Sequence, residues 1–129
     1  MRTRTTITGL SVTAIAFLCT ACSKPRQPIL SGGKPLSHWV QGLSSPDAKL
    51  RKTAVAKLGN AGPLDPDVAP MLLKTLHDSS APVRCEAIVA ITKLGSQAKQ
   101  TIPDLQAVAQ NDRDANVRDF AQKAIEKIK

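Results

Sequence analysis

The two side chains of this sequence best suited to nucleophilic chemistry are Cys85 and His77, which flank a short predicted turn between helices. A reactive cysteine needs its thiolate form, which a nearby cation or a helix N-terminus favours, and Cys85 follows Arg84 in the first turns of a predicted helix. A single small thiol more commonly fills space between packed helices. The sequence contains no glycine-rich phosphate loop and no HExxH, CxxC or Gly-x-Ser-x-Gly motif. We therefore predict a protein that is not an enzyme, with no catalytic, cofactor-binding or metal-binding residues.

The first 21 residues have the three parts of a secretory signal peptide. Two arginines in residues 1–4 give a basic start, residues 7–18 form an apolar run, and the small residues Thr20 and Ala21 follow it. The run is shorter than the roughly 20 apolar residues that a membrane-spanning helix needs. We predict that residues 1–21 are a signal peptide that directs secretion across an inner membrane.

Residues 18–23, LCTACS, resemble a bacterial lipobox, in which the cysteine after a small residue is lipidated and becomes the mature N-terminus. The resemblance implies that Cys22 carries the lipid and holds the protein at the periplasmic side of a membrane. Cys19 stands where such motifs normally have leucine, and an ordinary signal peptide cleaved after Ala21 would leave Cys22 free. Ser23 in the second mature position is similar to lipoproteins sorted to an outer membrane.

Residues 22–33 are predicted to be a flexible tether between this lipid anchor and a folded domain. The segment from residue 23 onward, SKPRQPILSGG, contains two prolines and two glycines and has no helical period. Its eleven residues span at most roughly 40 Å. Cys19 leaves with the signal peptide and Cys22 carries lipid, so Cys85 remains alone and no structural disulfide is predicted.

Residues 81–95, APVRCEAIVAITKLG, predict an amphipathic helix, because a proline lies in the first turn and a glycine closes the far end. The apolar residues recur in steps of four, four and three and define one buried face: Val83, Ala87, Ile91 and Leu94. The same pattern recurs at residues 50–62 and at residues 117–129. The sequence is therefore built around one helical pattern that occurs three times.

The recurrence has a fixed period. The aligned arginines Arg51, Arg84 and Arg118 are 33 and 34 residues apart, and Pro70 and Pro103, in two other predicted helices, are 33 apart. A period of this size indicates stacked helical hairpins. We predict three hairpins, and therefore about six helices, in a domain over residues 34–129 with repeats at about residues 34–62, 63–95 and 96–129.

Cap residues predict where the other helices begin. The first helix is expected to start near Ser37. Four further helices are expected over about residues 48–59, 68–77, 102–110 and 116–129. The expected caps are Ser37, Asp47, Ser80 and Asp114. Trp39, in the first helix, is predicted either to anchor a partner or to cover the open end of the first repeat.

The repeated pattern is an early proline, then an aspartate, then Val-Arg-x-x-Ala and a Leu-Gly ending. This pattern resembles HEAT repeats, including the short bacterial kind, over essentially the whole of residues 34–129. The resemblance implies an all-α fold, a short α-solenoid of three helical hairpins. It does not imply one particular function, because such repeats serve many roles.

The same resemblance implies a ladder of ion pairs. In the family, an aspartate between the two helices pairs with the second-helix arginine six residues on. On this sequence the implied pairs are Asp78 with Arg84 and Asp112 with Arg118. In the first repeat Ser45 stands in the place of the aspartate, so Arg51 is expected to use another partner, such as Asp47.

The residue four positions after each repeat arginine predicts where the array ends. Val55 and Ile88 at this position would pack on a following repeat, whereas the third repeat has Gln122. Together with Glu126 and Lys129, Gln122 gives the polar outer face that a terminal repeat needs for solubility. We therefore expect the three repeats to form a complete array.

A candidate binding surface lies one, five and nine residues after each repeat arginine. In HEAT repeats this side of the second helices faces the concave groove, and we call these nine positions the inner face. They carry small or apolar residues at the centre and four lysines around them. A solvated face and a binding face both fit this pattern. The candidate binding residues are Lys52, Ala56, Val89, Lys93, Lys123 and Lys127.

Composition limits the kind of partner. The formal net charge is +8, and removal of the signal peptide with its two arginines leaves +6, which is basic but does not predict a nucleic-acid binder. We predict a non-enzymatic interaction module that binds another protein, one with an acidic surface, at the bacterial envelope; its oligomeric state is open. An envelope adaptor that binds an anionic polymer or lipid headgroups through the groove lysines is an alternative. A lyase-type enzyme is another, against which the lack of a convincing acid–base pair counts.

Overall fold

The computed structural model of the protein describes residues 27–129, so the predicted signal peptide and Cys22 lie outside the described residues. In this range the chain forms a short hairpin followed by six α-helices. The strands are β1 (Leu30–Ser31) and β2 (Lys34–Pro35). The helices are α1 (Leu36–Gly42), α2 (Ala48–Ala61), α3 (Val68–Thr75), α4 (Ala81–Thr92), α5 (Ile102–Asn111) and α6 (Ala115–Ile128). The predicted all-α fold and the number of helices are confirmed.

Asp47 and Asp114 cap the second helices of the first and third hairpins, as predicted. The Asp47 carboxylate accepts a hydrogen bond of 2.8 Å from the backbone N–H of Lys49. The Asp114 carboxylate likewise accepts one of 2.8 Å from the backbone N–H of Asn116. These bonds satisfy backbone donors that have no partner within the helix, and so they determine where α2 and α6 begin.

The other two predicted caps are wrong in detail. The N-cap residue of α1 is Pro35 rather than Ser37, because the helix already begins at Leu36. Ser80 does precede α4, but its side chain makes no capping bond. Its backbone N–H instead donates to the Asp78 carboxylate at 2.8 Å, so the aspartate organises this turn.

The second helix of each hairpin lies at the centre of the array. Each hairpin packs its own two helices together, and α2, α4 and α6 also lie side by side with extensive contacts. The first helices make few contacts with one another. Gly59 permits the close approach of α2 to α4, because a Cβ atom there would lie only 2.6 Å from the Ala90 Cβ. We call α2, α4 and α6 the spine.

The buried face of α4 is the predicted one. Its four apolar residues are all buried in the core: Val83, Ala87, Ile91 and Leu94. Val55 and Ile88, four residues after their arginines, are buried as well, whereas Gln122 at the equivalent position is exposed. Hydrophobic spacing therefore identified the core face of α4, and the polar residue of the third repeat is exposed where its apolar equivalents are buried.

The folded part begins earlier than predicted, because residues 30–33 are not tether. Gly32 and Gly33 have φ of 57° and 76°, and they form the two-residue turn between β1 and β2. Ser31 is buried, and its Oγ donates to the backbone carbonyl of Lys57 at 2.7 Å. The Trp39 Nε1–H donates to the Ser31 carbonyl at 2.8 Å. Trp39 therefore helps to cover the open end of the first repeat, which is one of its two predicted roles.

Arginine–aspartate pairs connect each repeat to the next. The Arg51 guanidinium donates to Asp78 with Nε and Nη2, at 2.8 and 2.9 Å. The Arg84 guanidinium donates to Asp112 in the same way, with both distances at 2.8 Å. Two parallel bonds to one carboxylate give directional as well as electrostatic attraction. These two contacts form the ladder.

The ladder partners differ from the predicted pairs. Arg84 pairs with Asp112 and not with Asp78, and Arg51 pairs with Asp78 and not with Asp47. Each repeat arginine does contact the residue six positions earlier, but it bonds to the backbone carbonyl of that residue and not to its side chain. The Nη1 atom donates from Arg51 to Ser45 O at 2.9 Å, from Arg84 to Asp78 O at 2.9 Å, and from Arg118 to Asp112 O at 2.7 Å. Every residue type has a carbonyl, so Ser45 serves as well as an aspartate.

The carboxyl groups of the ladder are held in their ionised form. The hydrogen bond from Arg51 lowers the pKa of Asp78 below its ordinary value. Burial raises the pKa of Asp112, but hydrogen bonds from Arg84 and from a backbone N–H outweigh it, so the net pKa is lowered. A lowered carboxyl pKa means that the pairs stabilise the fold above the ordinary aspartate pKa of about 3.9. This contribution is lost as the pH falls through the lowered value.

Arg118 has only half of this arrangement. Within residues 27–129, no carboxylate lies within 4.0 Å of its guanidinium, although its Nη1 bond to Asp112 O matches those in the other two repeats. The aspartate of each ladder pair comes from the following repeat, and no fourth repeat follows α6 in the described chain. The three repeat arginines therefore differ in their partners.

The buried position of Ile91 gives a test of the core. Replacing Ile91 by Ala should lower the free energy of unfolding by about 2–5 kcal/mol, because it leaves a cavity between fully packed helices. Urea unfolding followed by circular dichroism measures the change. The matched control is Leu64→Ala at an exposed position, which should have little effect. A near-zero effect at Ile91 would show that the assigned core face is incorrect.

The ladder predicts an order of stability among three alanine variants. Arg84→Ala should cost the most, about 3 kcal/mol, because it leaves Asp112 without its cation where the two side chains are only 5% and 8% exposed. Arg51→Ala should cost less, since that pair is more exposed. Arg118→Ala should cost the least, because it removes a bond to a carbonyl. Thermal melting of the three variants gives the order, and equal melting temperatures would contradict it.

Candidate interaction surface

The spine brings equivalent residues of successive repeats together on the inner face. Asn60 and Lys93 occupy the same position in the first and second repeats, nine residues after the arginine. The Lys93 Nζ donates to the Asn60 Oδ1 at 3.0 Å. Lys127 occupies this position in the third repeat and is exposed. Residues that are 33 apart in the sequence thus become neighbours, and the inner face is continuous from repeat to repeat.

The four lysines of this face differ in their partners. Lys123 lies 2.7 Å from the Asp119 carboxylate on the same helix, and Lys52 lies 3.9 Å from that of Glu86 on the next one. Within the described part of the chain, Lys93 and Lys127 have no carboxylate within 4.0 Å. The uncompensated positive charge of the inner face is therefore concentrated at Lys93 and Lys127.

The centre of the inner face is less polar. Ala56, Val89 and Cys85 are half-buried there, between the exposed lysines. Phe120 lies on α6 and is 42% exposed. The centre therefore offers apolar contact area beside the positive charges.

Phe120 and Glu86 were not among the predicted binding residues. Both lie two positions after a repeat arginine, whereas the inner face was defined only by the positions one, five and nine residues after it. Glu86 contacts Lys52 of the preceding repeat, which shows that this position borders the inner face. The equivalent pair one repeat further on is Phe120 and Cys85, so Phe120 borders the inner face next to Cys85. The sequence signal that could have identified Phe120 was a large apolar residue among the polar side chains of α6.

The reactive thiol that Cys85 offered in the sequence is not favoured by its surroundings. Burial raises the pKa of the Cys85 thiol, and this outweighs the opposite influence of Arg84, so the thiolate is disfavoured. His77 lines clefts between the loops and the first helices, and Cys85 is not among the residues that line them. The structure thus gives no support for a Cys–His pair.

A cleft of about 700 Å³ opens between the second and third repeats, on the loop side of the array. Its lining includes Asp78, Arg84 and Asp112 of the ladder, together with Arg113, which donates to the Ser79 carbonyl at 2.7 Å. The charged groups of the ladder already bond to each other, so they have little capacity left for a ligand. The inner face remains the better candidate.

Two further properties concern the described residues alone. Between residues 27 and 129, no three His, Cys, Asp or Glu side chains are grouped so that they could hold a metal ion. In the same range, no helix has the length and apolar character needed to cross a membrane.

Comparison with known proteins agrees with this architecture. Curated proteins provide no match to the chain. The family model described as HEAT repeats matches residues 36–126, which includes all six helices apart from the last residues of α6. Repeats of this kind generally mediate protein–protein interactions and are typically non-enzymatic. The chain belongs to the HEAT repeat family.

Proposed function

We propose that this protein is a non-enzymatic module that binds another protein through its inner face and is tethered to the periplasmic side of a bacterial envelope membrane. The observation that carries the proposal is the side-by-side packing of α2, α4 and α6. The Lys93–Asn60 bond is one contact across this surface, between the first and second repeats. This packing turns three short stretches of sequence into one surface. A surface that spans three repeats offers a partner more contact area than any single helix.

The charges of the inner face favour an acidic partner. Lys93 and Lys127 lie side by side by repeat equivalence, and neither has a carboxylate within 4.0 Å in residues 27–129. Like charges held close together repel each other, and a negative partner relieves that repulsion. Opposite charge also speeds the encounter of the two molecules. We propose a partner with acidic groups that reach these two lysines.

The apolar centre favours a protein over a simple anionic polymer. Ala56, Val89 and Phe120 offer carbon surface beside the lysines. A partner protein can bury this surface, and an aliphatic or aromatic side chain placed there would carry much of the binding energy. A polysaccharide or polyphosphate would use the charges alone.

Charge reversal on the inner face tests the proposal. The partner is first captured from an envelope extract by the wild-type protein and identified. The variant Lys93→Glu/Lys127→Glu should then bind it at least tenfold more weakly, chiefly through a slower and salt-sensitive association rate. Surface plasmon resonance at two salt concentrations measures this. Both lysines are exposed, so folding should be nearly unchanged.

The matched control is Lys49→Glu/Lys74→Glu, which makes the same change in net charge outside the inner face. Both of these lysines are also exposed. An equal loss of binding in this control would mean that diffuse net charge attracts the partner and that the inner face is not the site. Salt-sensitive recovery of carbohydrate or lipid, with no discrete protein, would favour the anionic-polymer alternative.

The anchor is a separate part of the proposal and depends on residues 18–23, LCTACS. If Cys22 is lipidated, metabolic labelling with a fatty acid should tag the protein, and Cys22→Ala should abolish the tag. Cys85→Ala is the matched control and should keep it. Label that persists in Cys22→Ala would disprove the anchor, and an unlabelled, soluble wild-type protein would indicate plain secretion.

A further inference from the structure

The N-terminal end of the array exposes residues that are buried in the other repeats. Leu50 precedes the repeat arginine, as Val83 and Val117 do, yet it is 57% exposed whereas both valines are buried. Ala90 packs on Gly59 of the preceding repeat, so its position, six residues after the arginine, faces backward along the array. In the first repeat no earlier repeat is present in the described chain, and this backward face is covered only in part.

Lys57 occupies the Ala90 position in the first repeat and lies on this end. A Cβ atom on Gly32 would be 2.9 Å from the Lys57 Nζ, so the ammonium group lies directly against the turn of the hairpin. Leu50 is seven residues before Lys57, two turns away on the same side of α2. Leu30, on the hairpin, is 62% exposed.

Two ammonium groups converge on the ring of Trp39. The Lys34 Nζ lies 5.7 Å and the Lys57 Nζ lies 6.0 Å from the ring centroid. The ring itself is held in place by the bond from Nε1 to the Ser31 carbonyl. We call Leu30, Lys34, Trp39, Leu50 and Lys57 the end face.

The positive charge of the end face is uncompensated in the described chain. Neither Lys34 nor Lys57 has a carboxylate within 4.0 Å among residues 27–129, whereas Lys52 and Lys123 on the inner face each have one. The neighbour of the Lys34 Nζ is the His38 Nε2 at 3.2 Å, a group that supplies no negative charge. The end face thus combines an aromatic ring, two exposed leucines and two lysines that have no carboxylate partner among the described residues.

We propose that the end face docks on the surface of an anionic lipid bilayer. Lys34 and Lys57 would contact headgroup phosphates, while Leu30 and the Trp39 ring would lie at the level of the interface. Lysine attracts anionic headgroups, and tryptophan prefers the boundary between water and hydrocarbon, so this combination matches a membrane surface better than an acidic protein.

The position of the end face in the chain supports the same occupant. Leu30 is the eighth residue after Cys22, and a segment of this length spans at most about 29 Å. A lipid on Cys22 would therefore keep this end of the array nearest the membrane. The proposal uses a different surface from the inner face and does not require the lipid, so it can fail or succeed independently of the proposed function.

Vesicle binding of the full chain carrying Cys22→Ala tests the proposal without a lipid anchor. The probes are vesicles of phosphatidylcholine alone and vesicles containing equal parts of phosphatidylglycerol and phosphatidylcholine. Trp39 is the single tryptophan of the chain, so its emission reports on the end face directly. We expect a shift to shorter wavelength with the anionic vesicles. The phosphatidylcholine vesicles measure whatever the N-terminal apolar residues contribute.

Neutralising the two lysines should weaken this binding. A basic side chain near an anionic surface contributes roughly a fivefold gain in affinity, so Lys34→Gln/Lys57→Gln should lower the partition coefficient about 30-fold. The matched control Lys93→Gln/Lys127→Gln removes the same charge from the inner face and should cost less than about threefold. If the double variant folds poorly, Lys34→Gln alone, at an exposed position, should still cost about fivefold.

Three results would overturn the proposal. The first is equal partitioning onto both kinds of vesicle, which would mean that the lysines do not contribute. The second is an equal loss in both double variants, which would mean that net charge acts without a preferred face. The third is Trp39 emission that does not change when the protein is bound, because the end face would then point away from the lipid.

Discussion

The bidentate bond between a second-helix arginine and the aspartate of the following repeat holds successive hairpins in one alignment. Arg84 uses both edges of its guanidinium at once: Nη1 bonds to the carbonyl of Asp78 in its own hairpin, and Nε and Nη2 bond to Asp112 in the next. Because the guanidinium is planar, these bonds constrain the orientation as well as the distance of the next hairpin. The close contact between Gly59 and Ala90 depends on this alignment, because a Cβ atom on Gly59 would lie only 2.6 Å from the Ala90 Cβ and the two helices therefore have little room to shift.

The two sides of the array differ because the aligned helices of the spine are longer than the helices that pack against them. The second helices have 14, 12 and 14 residues, and the first helices have only 7, 8 and 10. Long helices in contact along their length form the continuous inner face. The first helices are too short to fill the spaces between neighbouring hairpins, and clefts therefore open on the side of the array where the first helices lie. One face is thus suited to a broad partner, and the other offers separate small depressions.

Local sequence was sufficient for the helices and the core, and insufficient for contacts between repeats. The spacing of Val83, Ala87 and Ile91 identifies a buried face because helical geometry alone determines which residues share a side. The ladder partners could not be found in this way, because Arg84 and Asp112 are 28 residues apart and meet only through packing. The glycine pair at 32–33 fits a linker as well as a tight turn, and burial of Ser31 distinguishes the two.

The ladder also makes the number of repeats easy to change. The junction between the first and second repeats uses the same atoms as the junction between the second and third. If one unit of 33 residues were lost, Arg51 would meet Asp112 with its bonding pattern intact, and a duplicated unit would recreate the same bonds. Recombination within such a gene can therefore lengthen or shorten the array without inventing a new interface. Arg118, with its carbonyl bond already made, is the point at which an added unit would join.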